Sequence, residues 1–372
     1  MLLAVFVAEL LLTFPPGFLE HNHRFYNPAR FDPYVAAKKL RESGKLVYTL
    51  VPDAFDHQPI GRAGEGVTPV PLAGLSHRPL VLCNETGRDL IIDSDQHGFS
   101  NPDSVWTRDD DIALIGDSFV HGECAGPQGD IASSLRNDFV VLNAGISGAG
   151  PITELAALRE YVVPRRTPLV FWFFYEGNDV EDLEKEKTRS ISRYLDSSFT
   201  QGLALRQAEI DSVARVVIDS TIEHRKPPGR APSLADFVLL RRVRGLFNLR
   251  FHPAPGPLSL DSGTLKRVLA TANNSVKSYG GKLVLVYLPD RRRFSGEATT
   301  IEGRYDLDAI RRLMLQISGS QGIETVDIAD AFGRSPDPTR LWAGRRSHYN
   351  ARGYELIAGQ IRTFATRVHS PH

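Results

Sequence analysis

From Asp111 onward the chain carries five short runs of apolar, β-branched or aromatic residues, at 112–115, 139–142, 169–175, 283–288 and 325–328. Between them lie stretches with helical spacing, such as Ile152, Leu155, Ala156, Leu158, Tyr161 and Val162, or Leu307, Ile310, Leu313, Met314 and Ile317. A strand that is apolar along its whole length is buried on both faces, and two parallel strands need a crossover between them. The alternation therefore predicts an α/β fold, a three-layer α/β/α sandwich around a five-stranded parallel sheet. A last helix is expected over residues 351–366.

Two regions fall outside that rhythm. Residues 180–262 separate the third and fourth runs by far more than one crossover helix and read as a helical insertion over one end of the sheet. The insertion opens on the charged residues 181–187, a solvated helix face, and continues through a helical stretch at 203–222 to the basic residues Arg241, Arg242 and Arg244. Upstream, residues 20–108 are rich in Pro, His, Asn and Gly, with apolar runs at 45–51 and 80–83 and a helical stretch at 35–43. They predict a small β-rich N-terminal extension. Residues 1–19 hold an apolar segment closed by Pro15 and Pro16, shorter than the roughly 20 residues that cross a bilayer. It reads as a truncated membrane anchor, with a packed amphipathic helix or an interfacial segment as alternatives.

Composition narrows the partners. The 44 basic side chains match the 44 acidic ones, so the chain lacks the overall basic surplus of a nucleic-acid binder. Two cysteines, Cys83 and Cys124, are too few for a zinc site or a disulfide framework. They form one bridge if the compartment is oxidising, and they are expected to lie close together, docking the extension beside the segment after Ser118. His21 and His23 have no accompanying ligand cluster, and no metal or cofactor is expected.

The chemistry gathers at the ends of the runs. The first passes straight into Gly116-Asp117-Ser118 and an expected helix start, at the crevice where open α/β sheets bind ligands. The second is followed by Asn143-Ala144-Gly145-Ile146-Ser147-Gly148, a glycine-rich turn whose order fits neither a dinucleotide fingerprint nor a nucleophile elbow. The third leads to Glu176-Gly177-Asn178-Asp179, and Ser347-His348-Tyr349-Asn350 precedes the last helix. A serine hydroxyl is a poor nucleophile until a neighbouring base takes its proton, so Ser118 and His348 gain meaning as a pair.

These four blocks, in this order and at strand ends, resemble those of the SGNH (GDSL) hydrolase family over residues 109–368. The resemblance implies a flavodoxin-like sheet of five parallel strands, with Ser118 as nucleophile and His348 as general base. Gly148 and Asn178 would join the Ser118 amide as oxyanion donors. In the family an aspartate usually stands two or three residues before the histidine; here those positions hold Arg346 and Arg345. A backbone carbonyl or another acid such as Asp337 would have to orient the imidazole. Arg345 and Arg346 become candidates for binding an anionic substrate. His121 is a weaker candidate base, and Glu123 and Asp179 read as cap or scaffold residues.

The resulting expectation is a serine esterase acting on O-acyl groups, acetyl above all, of a small-molecule or carbohydrate substrate. An O-acyltransferase on a cell-surface polysaccharide uses the same residues. A catalytically weak polysaccharide-binding or assembly protein is the remaining alternative, kept open by the missing acid. The expected location is extracytoplasmic or membrane-anchored, with cytoplasmic as the alternative.

Overall fold

The computed structural model describes residues 31–51, 55, 57–85, 87–126, 128–225, 261–296, 300–301, 305–344 and 347–369. The apolar segment 1–19, the paired histidines, the basic residues at 241–244 and both Arg345 and Arg346 lie outside the described residues.

The first described element of the extension is α1 (Pro33–Glu42), whose N-terminus is capped by Asp32 accepting from the amides of Tyr34 and Val35. An antiparallel hairpin follows, β1 (Pro79–Cys83) and β2 (Leu90–Asp93). The run at 45–51 does not form the expected strand. It makes one isolated bridge, Tyr48 to Leu80, while Val47 and Tyr48 bury their side chains in the cluster formed with α1 and β1. Apolarity there is satisfied by side-chain packing, so a continuous ladder is not required. Among the described residues the extension is thus a helix, a hairpin and a 3-10 turn over Asp103–Thr107, bound by loops, with less strand than its composition suggests.

The five main strands are β3 (Ile112–Ile115), β4 (Val141–Asn143), β5 (Leu169–Tyr175), β6 (Lys282–Leu288) and, after the minor hairpin β7 (Thr300–Ile301) and β8 (Tyr305–Asp306), β9 (Glu324–Asp327). All pair in parallel, in the spatial order β4-β3-β5-β6-β9. Strand order reverses between β3 and β5, which makes the carboxyl edge beside β3 the topological switch point. Along β5 the side chains alternate faces: Val170, Trp172 and Phe174 enter one apolar cluster, Leu169, Phe171 and Phe173 the other.

Helices cover both faces. Between β3 and β4 lie α2 (Ser118–His121) and α3 (Ile131–Leu135), and between β4 and β5 lies α4 (Pro151–Ala157), continued by a wide π turn over Leu158–Val162. The long connection from β5 to β6 holds α5 (Asp179–Glu186), α6 (Gln207–His224) and α7 (Ser262–Lys277). Then come α8 (Leu307–Ser320), α9 (Ile328–Gly333) and α10 (Ala351–His369). In α6 the residues Ala214, Ile218 and Ile222, spaced by four, bury one stripe against α1 and β1. The insertion therefore supports the extension as well as the sheet, a contact its sequence did not announce.

Candidate active site

Ser118 stands directly after β3 as the first residue of α2, and Asp117 caps that helix by accepting the Phe119 amide at 3.0 Å. The serine is only 8% exposed. His348 arrives from the other end of the chain. It precedes Tyr349, which pairs across to Trp342 and donates its hydroxyl to the Pro289 carbonyl at 2.7 Å, and Asn350, whose side chain caps the start of α10. Held there, with its ring 4.8 Å from that of Phe119, His348 presents Nε2 to the Ser118 hydroxyl at 2.8 Å.

Behind the imidazole stands a residue that sequence reasoning missed. Glu85, at the tip of the β1–β2 hairpin, accepts from His348 Nδ1 at 2.9 Å and from the His348 amide at 3.2 and 3.3 Å. A carboxylate on Nδ1 makes that nitrogen the proton carrier and leaves Nε2 to accept from the serine, the tautomer a general base requires. Asp337 does not take this part. It is exposed, accepts from Thr339 and pairs with Arg340. A nearby signal existed: Cys83 lies two residues before Glu85, and it is bonded to Cys124 with the Cα atoms 5.7 Å apart. The expected docking of the extension beside the serine's segment is therefore present, and it brings the acid with it.

The electrostatics suit the arrangement. Burial works to lower the His348 pKa, but the Glu85 hydrogen bond and the charges of Glu123, Glu85 and Asp117 outweigh it and raise the imidazole above its ordinary value. Burial pushes the Asp117 carboxyl up to about 6 and raises Glu123 as well. Glu123 accepts from the Ser147 hydroxyl, tying the segment after α2 to the glycine-rich turn, a scaffold role. His121 turns away. Its ring nitrogens are buried without a partner among the described residues, and burial drives its pKa down to about 4. It lines a separate cavity of about 200 Å³ with Asp130 and Arg136.

The second and third turns supply donors. Asn143 donates to the Val120 carbonyl at 2.8 Å and accepts the Gly145 amide at 2.9 Å, stitching the turn to α2. Gly145 has to be glycine, because a Cβ there would sit 2.5 Å from the His121 backbone nitrogen. Gly148 adopts φ 77°, a left-handed conformation that favours glycine. Among the described residues no hydrogen bond occupies the amide of Ser118 or of Gly148. Asn178, at the N-cap of α5, directs its amide nitrogen toward Asp117 at a long 3.4 Å. Asp179 is buried and accepts the Tyr175 amide at 2.7 Å, a scaffold role.

Ser147 and Gly148 also border a cavity of about 150 Å³. Phe55, Ile60 and Ile146 form apolar wall, and Asp182 and Glu186 bring carboxyl groups to it. Glu186 accepts the amides of Gly150, Ile152 and Thr153, and burial pushes it up to about 7.

No family model and no curated protein matches the chain. Among solved structures it is similar to a lipase/acylhydrolase from Enterococcus faecalis, at 16% identity and a TM-score of 0.39, over 69% of this chain and 95% of that one. A GDSL-like lipase from Bacteroides thetaiotaomicron is similar at 11% identity and a TM-score of 0.39, over 69% and 88% of the two chains. So is a two-domain esterase active on acetylated mannans, at 13% identity and a TM-score of 0.36, over 70% of this chain and 49% of that one.

Proposed function

We propose that the protein is a serine carboxylic-ester hydrolase of the SGNH type. The observation that carries the reading is the continuous relay from Ser118 Oγ through His348 to Glu85, with bonds of 2.8 and 2.9 Å. In this reading His348 Nε2 takes the serine proton as Oγ attacks the ester carbonyl. The imidazolium that forms is stabilised by Glu85 through Nδ1. In the same reading the donors to the developing oxyanion are the amides of Ser118 and Gly148 and the side-chain amide of Asn178. The imidazolium then hands its proton to the leaving alcohol, and water, deprotonated by the same imidazole, releases the acid from the acyl-enzyme. None of these steps is assigned to a metal or cofactor.

The finer reading is an O-acyl, chiefly acetyl, ester on a carbohydrate. Its support is the cavity beside Gly148, which Phe55 and the Asp182 carboxyl group help to line, an apolar ring and a polar acceptor of the kinds that sugars bind. Transfer of the acyl group to a sugar hydroxyl uses the same residues and differs only in the acceptor. The case for an inactive binding protein rested on the missing acid, and Glu85 supplies a carboxylate in that position. The Cys83–Cys124 bridge supports an extracytoplasmic, oxidising location, to which residues 1–19 would add membrane association.

The test uses p-nitrophenyl acetate and a fluorophosphonate probe on wild type, Ser118→Ala and His348→Ala. Activity and labelling confined to the wild type are expected. Equal labelling of wild type and Ser118→Ala would falsify the nucleophile. Acetylated oligosaccharides, with and without an acceptor sugar, then separate hydrolysis from transfer.

A further inference from the structure

We infer that the Cys83–Cys124 disulfide positions the catalytic acid, holding Glu85 on His348, so that reducing it turns the enzyme down while leaving the sheet folded. The inference rests on the esterase reading above and adds a redox control to the same site.

Placement is the first argument. Cys83 closes β1 two residues before Glu85, and Cys124 follows Ser118 by six, so one covalent bond joins the acid's hairpin to the nucleophile's segment. The Cys124 sulfur, the Glu85 carboxylate and a His348 ring nitrogen all lie within 4.8 Å of one another. The bridge therefore abuts the very contact it would align. Between Val81 and Cys83 the β1–β2 register slips by one residue, and such bulges re-aim a side chain. Cys124 itself holds φ 64°, a left-handed conformation that is unfavourable for a non-glycine residue and persists where its surroundings impose it.

Packing is the second. Leu80, Val81, Leu82 and Cys83 are buried in an apolar cluster with Ala37 of α1 and Ala214, Ile218 and Ile222 of α6, separate from the two clusters that flank the sheet. Among the described residues, Cys124 is the one member of the nucleophile's segment packed against that cluster. Hydrophobic burial thus secures the hairpin to the extension and insertion. Its tip is secured to the site by the disulfide and by the three hydrogen bonds of Glu85. Among the described residues, opening the bridge leaves the hydrogen bonds of Glu85 to join the tip to His348, and a misplacement of about 1 Å in such a group costs on the order of a hundredfold in rate.

The chemistry needs a dithiol reductant. Its thiolate attacks one sulfur, and Cys124 is the less buried residue of the pair. The resulting mixed disulfide is resolved by the second thiol. Cys83 and Cys124 leave as two thiols, having gained two electrons and two protons, and the reductant leaves as its disulfide.

The experiment compares the full chain oxidised, reduced with dithiothreitol and reoxidised, beside Cys83→Ser, Glu85→Gln and Ser118→Ala. Thiol labelling read by mass confirms the bridge state, and circular dichroism confirms the fold at the assay temperature. Reduction or Cys83→Ser is expected to lower kcat about ten- to a hundredfold with little change in KM, reversibly on reoxidation. The acid limb of the pH profile should move toward lower pH, because His348 loses its carboxylate. Glu85→Gln should be slow already and indifferent to reductant, a non-additivity that general destabilisation does not produce. Full activity in a chain proven reduced overturns the inference, as does an equal loss on reduction in Glu85→Gln and wild type. If Cys83→Ser does not fold, the reduced wild type below its melting temperature decides the matter. A dead Ser118→Ala with a redox-indifferent wild type sinks the disulfide role alone, whereas an active Ser118→Ala sinks the esterase reading with it.

Discussion

Two turns meet at one imidazole, and they are built in opposite ways. The Ser118 turn is local: a buried strand ends, Asp117 caps the helix that follows, and Ser118 emerges within three residues of Ile115. The Glu85 turn is assembled from afar. Glu85 sits on a hairpin whose apolar residues belong to a cluster of the extension and insertion, and it reaches His348 across a separation of 263 residues. A strand running into a capped helix fixes a side chain through its own backbone. A residue on a docked hairpin depends on everything that docks it.

That contrast can be broken from either side. Ser118→Ala should cost the most, on the order of 10⁶-fold in kcat, with an unchanged melting temperature. Glu85→Gln should follow at roughly 10³- to 10⁴-fold. Its pH profile carries a second sign. His348 must be neutral to act, and its partners hold its pKa above the ordinary value, so wild-type activity falls as pH drops through that raised value. Without the carboxylate the fall should begin at lower pH. Asn178→Ala should lose about a hundred- to a thousandfold in kcat through one oxyanion donor, with KM little changed. Gly145→Ala presses a Cβ against the His121 backbone nitrogen and should destabilise the fold by about 1–3 kcal/mol, measured by denaturant titration. Asp337→Ala, remote from the imidazole, should leave kcat/KM within about twofold.

Much of the sheet was legible because near-continuous apolar runs have few ways to be satisfied except between two layers. Four of the five runs match their strands to within one residue at each end. The run at 139–142 became Val141–Asn143, since Phe139 lies outside the ladder and Asn143 is needed in it to stitch the following turn to α2. The extension was less legible. Its residues at 45–51 look like a strand, yet a segment that buries Val47 and Tyr48 against a helix has no need of a ladder. Nor did the stripe of α6 name its partner, because an apolar face records that it is covered and not by what.

Sequence alone determined the layer order and the four turns at one sheet edge that carry Ser118, Gly148, Asn178 and His348. These follow from periodicity and from residues adjacent to strand ends. Only the tertiary structure decided which carboxylate serves the imidazole. Hydrogen bonding asks that Glu85 be within about 3 Å of Nδ1 and places no condition on its position in the chain. What brings it there is the burial of β1 against α1 and α6 together with a covalent bond from Cys83 to Cys124, contacts that no local pattern encodes.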